Sequence, residues 1–331
     1  MSIKDQNPRR RMVGAMVVAV VMVFLFVWFF GAALHRPQPH DVPVGIVGPE
    51  LLKERVVAGA QANAPGAFSF QSLSSAADAR SAIEDRDVAG ALIIGSGEPQ
   101  ILVAGAGGQA ASGVISGTFV SMAKAFGQAP VVEDVQPLPE SDTLGLVPFF
   151  LVLGVTVSAF VFQLLAREQD KGPTLRAAIM SLLVFAVVTG LVAGLAVGIG
   201  VGFAINYWAL AGVCALLALA VAAATLACCR LFGRAGVGIA GLVIILLGNA
   251  SSGSVIGSHF LPQPFRWLSP VLPAGSGLEA ARSVLYFNGG GVGWRLVVLA
   301  LWVAGAFAIL AALGLWRGRT RRPVGLQVRL R

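Results

Sequence analysis

A chain of 331 residues that is 56% hydrophobic and 12% charged, with a mean hydropathy of +0.80, is too apolar for a soluble globular protein of its size. Its formal net charge of +8 is unevenly spread: residues 35–142 hold 6 Lys or Arg against 12 Asp or Glu, and the remainder holds 18 against 4. That segregation belongs to a protein threaded through a membrane, so the basicity reads as topology and contact with membrane lipids, and it excludes nucleic acid as a partner.

The chain opens with a short basic segment, residues 1–11, followed by the charge-free run Met12–Leu34, which is longer than a cleaved signal core and reads as a signal anchor. Five further runs of similar length follow: Leu144–Ala166, Ile179–Phe203, Ala209–Cys229, Gly236–Gly257 and Trp294–Trp316. Runs this long and unalternated are helices that cross a bilayer and exclude a β-barrel. Lys4 and Arg9–Arg11 precede the first run, Arg167, Lys171 and Arg176 lie between the second and third, Arg230 and Arg234 lie between the fourth and fifth, and Arg317 to Arg331 follow the sixth. The positive-inside rule places all of these in the cytoplasm and residues 35–143 outside a plasma membrane.

Between the first two runs the pattern changes. Strands are predicted at Val42–Val47, Phe68–Leu73, Val88–Gly95, Gln100–Ala104 and Val131–Val135, with helices at Pro49–Ala62, Ser75–Asp85 and Gln109–Phe126. Ser75 and Asp78 have capping-box spacing. The expected fold is therefore a membrane α-helical bundle of six transmembrane helices, with one extracytoplasmic α/β domain inserted between the first and second. Gly105, Gly107 and Gly108 lack the lysine of a nucleotide-binding loop and read as turn glycines. The histidines, His35, His40 and His259, are scattered, so neither a metal nor any other cofactor is expected.

Within residues 144–316, the charged loop Arg167, Glu168, Lys171, Gly172 to Arg176 is a connector or a docking loop. The third run carries Gly190, Gly194, Gly198 and Gly202 at a spacing of four, a face on which another helix backbone can approach closely, within the chain or across a dimer. The fifth run turns polar at Asn249, Ser251, Ser252 and Ser254. Residues 249–291 then form a broken apolar hairpin, in which Pro262, Pro264, Pro270 and Pro273 interrupt any helix while Trp267 and its neighbours make the segment too greasy for a free loop. Ser276 and Glu279 have the spacing of a capping box for a helix restarting there, and Glu279 and Arg282 could pair along it. This reads as an outer lid or a wedge at the membrane surface. A basic tail, residues 317–331, closes the chain. Apart from Arg295, beside Trp294 at the start of the sixth run, no Asp, Glu, Lys, Arg or His lies within the six runs. A proton- or ion-coupled carrier is thereby disfavoured, as is a membrane-embedded enzyme.

The series S-S-G at Ser251–Gly253, L-P at Leu261–Pro262, L-S-P-V-L-P at Leu268–Pro273 and G-L-E-A-A-R at Gly277–Arg282, preceded by one span, a large inserted domain and further spans, resembles the ABC-2-type transporter permease superfamily, closest to its phage-infection-protein (YhgE/Pip-like) branch. The resemblance implies one half of a homodimeric or heterodimeric exporter of a hydrophobic or amphipathic substrate. It also implies that the loop with Glu168 and Gly172 contacts a separate cytosolic ATP-binding subunit; the chain itself, which has no ATP-binding motif, is then not an enzyme. The alternative is a non-transporting scaffold or surface receptor whose outer domain binds a secreted protein, a wall polymer or a phage.

Overall fold

A computed structural model of the protein describes residues 8–95, 97–125, 127–166, 174–202, 206–233, 235–253 and 256–320. They fall into two compact units, Met1–Leu146 with Leu246–Gly275, and Val147–Ile245 with Ser276–Arg331.

The first unit begins with helix α1 (Pro8–Leu34) and continues into a five-stranded sheet. Its strands are β1 (Val42–Val47), β2 (Phe68–Ser72), β3 (Gly90–Ile93), β4 (Gln100–Val103) and β5 (Val131–Asp134), each inside or coincident with a run that is rich in β-branched or aromatic residues. Helices α2 (Glu50–Asn63), α3 (Ala76–Glu84) and α4 (Gln109–Ala125) join them. The sheet order is β2-β1-β3-β4-β5, with β1 parallel to both β2 and β3, β4 antiparallel to β3, and β5 parallel to β4. Parallel neighbours need a helical crossover, and the alternation of strand and helix supplies it. Val42, Val44, Leu92, Ile101 and Val103 of the sheet share a core with Ala60 of α2 and with Ile115 and Phe119 of α4. Ser75 caps α3 by accepting from the amide of Asp78, as its spacing predicts. Gly105 and Gly107 sit in a short turn where the Gly105 amide donates to Asp134 Oδ1 at 3.0 Å.

The second unit is helical. Four of its helices are long and apolar enough to cross a membrane, α5 (Val147–Ala166), α6 (Leu175–Gly200), α7 (Tyr207–Phe232) and the Val292–Gly314 part of α12 (Val292–Thr320), and the chain is accordingly a helical membrane protein. Helix α7 is central: α5, α6 and α12 all pack against it, and 72% of its apolar window is buried against 28% for α6. The exposed side of α6, including Met180, Val184, Val187 and Val188, is uniformly apolar, as a face toward lipid must be. Asn206 caps α7 through its side chain, with Tyr207 and Trp208 already helical.

The expected fifth span, Gly236–Gly257, does not persist at that length. The helical stretch runs Ala235–Ala250, as α8 (Ala235–Ala240), a wide π-helical turn at Gly241–Leu247 and α9 (Gly248–Ala250). At 1.5 Å per residue it reaches roughly 24 Å, short of a bilayer core of about 30 Å. It stops because Ser252 turns back to bond the Asn249 carbonyl through both its amide (3.2 Å) and its hydroxyl (2.7 Å), and Gly253 adopts a left-handed φ of 66°.

Candidate functional site

The hairpin is best followed from its prolines. Leu261 leads into Pro262, and Pro264 stands directly before α10 (Phe265–Leu268), where a residue without an amide proton costs the helix nothing. Pro270 lies in the turn after α10, and Pro273 opens α11 (Pro273–Tyr286). The restart is thus four residues earlier than the Ser276–Glu279 capping box places it. Ser276 lies inside the helix, fully buried, and proline at the first position sets the helical φ instead.

Upstream of α11 the hairpin is bound to the rest of the first unit at several points. Phe260 is 3% exposed and belongs to the core beneath the sheet, among Val42, Val44 and Phe119. Leu261 and Phe265 form a second cluster with Ala33 of α1 and Ala250, and the Phe265 ring meets that of Phe29 edge-on at 6.3 Å. The His40 amide donates to the His259 carbonyl at 2.9 Å, and Arg266 Nη1 donates to Asp41 Oδ2 at 3.1 Å. Trp267 and Val271 face outward, 67% and 56% exposed. The prolines and the apolar character around Trp267 are legible in the sequence, but the pairing of the hairpin with His40, Asp41 and the sheet core is not. Their pairing spans more than 200 positions, and no local pattern signals it.

Helix α11 is buried along its whole length, unlike a lid or surface wedge, whereas Trp267 and Val271 upstream of it are exposed. Gly277 lets α11 approach α7: a methyl there would sit 2.8 Å from a Leu217 methyl. The helix brings Ser276, Glu279, Arg282 and Ser283 into the interior together, and Arg282 Nη1 donates to Glu279 Oε1 at 2.8 Å with both side chains under 10% exposed. The pair lies on α11, outside the six apolar runs. The pair is internally neutral, and an i,i+3 arrangement on one helix lets each charge compensate the other's desolvation. Thr156 and Thr225, also buried, are satisfied by carbonyls of their own helices.

The glycine face divides. Gly190 and Gly194 pack within the chain: a methyl on Gly190 would run into the Ala211 carbonyl, and one on Gly194 into the Tyr207 ring. Gly198 is only half-buried. Gly202 does not belong to the face, because α6 ends at Gly200 and Gly202 has a φ of 74° in the turn beyond it. Of the proposed docking loop, Arg167, Glu168, Lys171 and Gly172 lie outside the described residues; Arg176 is exposed in the first turn of α6. Among the described residues no group of three or more His, Cys, Asp or Glu is placed to hold a metal ion. Comparison with protein-family models, with curated proteins and with solved structures finds no match to this chain.

Proposed function

We propose that the protein is a permease-like subunit of an ABC-2-type exporter, moving a hydrophobic or amphipathic substrate outward with energy from a separate ATPase. In this reading the six apolar runs thread a plasma membrane, the fifth completing its crossing through the hairpin residues that follow Ala250, both termini are cytoplasmic, the sheet unit is extracytoplasmic, and two such subunits form a homodimer or heterodimer. The observation that carries it is α11: a fully buried helix with the Glu279–Arg282 pair, reached through a proline-broken hairpin. Ionisable groups held inside a membrane bundle are retained for function far more often than for stability. The reading assigns the energy source to another chain, in keeping with the lack of a recognisable ATP-binding motif in this sequence.

Purification from native membranes tests the reading: it should retain an ATP-binding subunit, and Leu278→Pro should abolish export while leaving that subunit bound. Recovery of the chain without any ATPase, with export unaffected by deletion of every candidate ATPase, would overturn it. A second reading, a scaffold or receptor for a secreted protein, wall polymer or phage, draws support from the self-contained core of the sheet unit. Under it, Leu278→Pro leaves ligand or phage adsorption intact.

A further inference from the structure

The sheet unit carries a feature that export does not explain. Its order, β2-β1-β3-β4-β5, runs outward from β1 in both directions: the chain leaves β1 for β2 on one side and reaches β3 on the other. In open α/β sheets the connections part at such a point and leave a crevice at the carboxyl ends of the strands, where ligands bind. Two helices border that crevice. Helix α2 follows β1 and packs toward β2, whereas α4 packs against β3 and β4, and both contribute to the core that holds Val42, Leu92 and Phe119.

That core does not close completely between them. A cavity of about 40 Å³ is left, walled by Val56 of α2, by Phe119, Met122 and Ala123 of α4, and by Leu92 and Ile94 at the carboxyl end of β3. The Ile94 amide donates to the Val47 carbonyl at 2.8 Å, so the cavity wall is joined to the end of β1 and the void lies at the switch point. Pro99 and Gln128 complete the lining, and Gln128 is exposed to solvent. Met122 is the adjustable part of the wall, an unbranched thioether that Gly59 leaves room for, since a methyl on Gly59 would sit 3.0 Å from Met122 Cε.

The lining decides what fits. Gln128 is the one polar side chain among the described lining residues, and a buried water needs about two to four polar partners, so the cavity favours an apolar guest. A cavity that takes an aromatic ring has about 150 Å³, so rings are excluded here and the end of a narrow chain is admitted. We propose that the sheet unit holds the methyl end of an unbranched alkyl chain in this cavity, the rest of the chain leaving past Gln128.

The test uses the full chain, labelled with carbon-13 at its methionine methyls, in nanodiscs of deuterated phosphatidylcholine, with the Met122 signal assigned by its loss in Met122→Leu. The probe is 1-hexanol. Cyclohexanol, compared at equal amounts partitioned into the discs, has the same number of carbons in a ring. 1-Hexanol should shift the Met122 methyl saturably, with a half-saturation at least tenfold lower than that for cyclohexanol. Ala123→Leu, which fills the cavity, should raise the 1-hexanol half-saturation at least tenfold with no fall in Tm. A Met122 shift that rises linearly with partitioned alcohol, or an equal response to the two alcohols, overturns the site, and neither result depends on a variant's folding. No ATPase takes part, so such a failure leaves the exporter reading standing, and failure to co-purify an ATPase leaves the site standing.

Discussion

Glu279 and Arg282 are the residues whose placement costs most. Two charges under 10% exposed inside a helical unit need compensating partners, and removing one member takes the ion-pair partner from the other. Glu279→Gln or Arg282→Met alone should therefore destabilise the protein by about 3–5 kcal/mol, whereas Glu279→Gln with Arg282→Met should recover most of that loss. Thermal unfolding of the four proteins in one detergent measures the cycle, and additive losses would mean that the two charges act separately. A second pair works at the surface. Arg80 of α3 donates twice to Glu133 of β5, at 2.8 and 2.6 Å, and these hydrogen bonds hold the Glu133 carboxyl below its ordinary value against a smaller opposing effect of desolvation. A depressed carboxylate stabilises fully above its unfolded pKa, about 4.3, and loses that contribution as pH falls through the lowered value. The hydrogen-exchange protection factors of the β5 amides should thus fall on acidification below about pH 4, and Arg80→Met should remove that step.

Among the elements, the hairpin shows which kind of contact holds it. Arg266 and Asp41 are 23% and 67% exposed, and a pair of that kind is worth about 0–1 kcal/mol. Phe260, at 3% exposure in the core under the sheet, is worth about 3–5 kcal/mol on truncation. Packing therefore outweighs the ion pair. Phe260→Ala should expose residues 256–272 to limited proteolysis, and Arg266→Ala should leave the cleavage pattern near that of the native protein. The pairing of α6 with α7 follows the same logic from the opposite end, because the missing side chains of Gly190 and Gly194 allow the backbone of α7 to come close.

For the whole molecule, the proposed topology is open to labelling. With Cys214, Cys228 and Cys229 replaced by Ala, single cysteines at the exposed positions Val131 and Arg176 should sort by side. A membrane-impermeant maleimide added to intact cells should label Val131→Cys and spare Arg176→Cys. The reverse result would invert the orientation drawn from the Lys and Arg distribution.

Local patterns suffice for much of this protein. Composition and apolar run length identify a helical membrane protein, because a bilayer core demands a fixed number of apolar residues. Alternation and β-branching place all five strands, because a strand's period is written in neighbouring residues. The Ser75 cap is legible for the same reason, its partner being three residues away. Other features depend on residues far apart in the chain. The length of the fifth run could not be read from hydropathy, since Ser252 and Gly253 end the helix by backbone geometry before the run ends. The start of α11 went to Pro273 because a proline that fits the first turn outcompetes a serine whose side chain is wanted inside. Burial of Glu279 and Arg282, attachment of Phe260 beneath the sheet, and the meeting of Lys53 of α2 with Ser72 of β2 arise only when the chain is packed. Each joins groups brought together by strand order and helix contact, and a one-dimensional pattern carries no record of such neighbours.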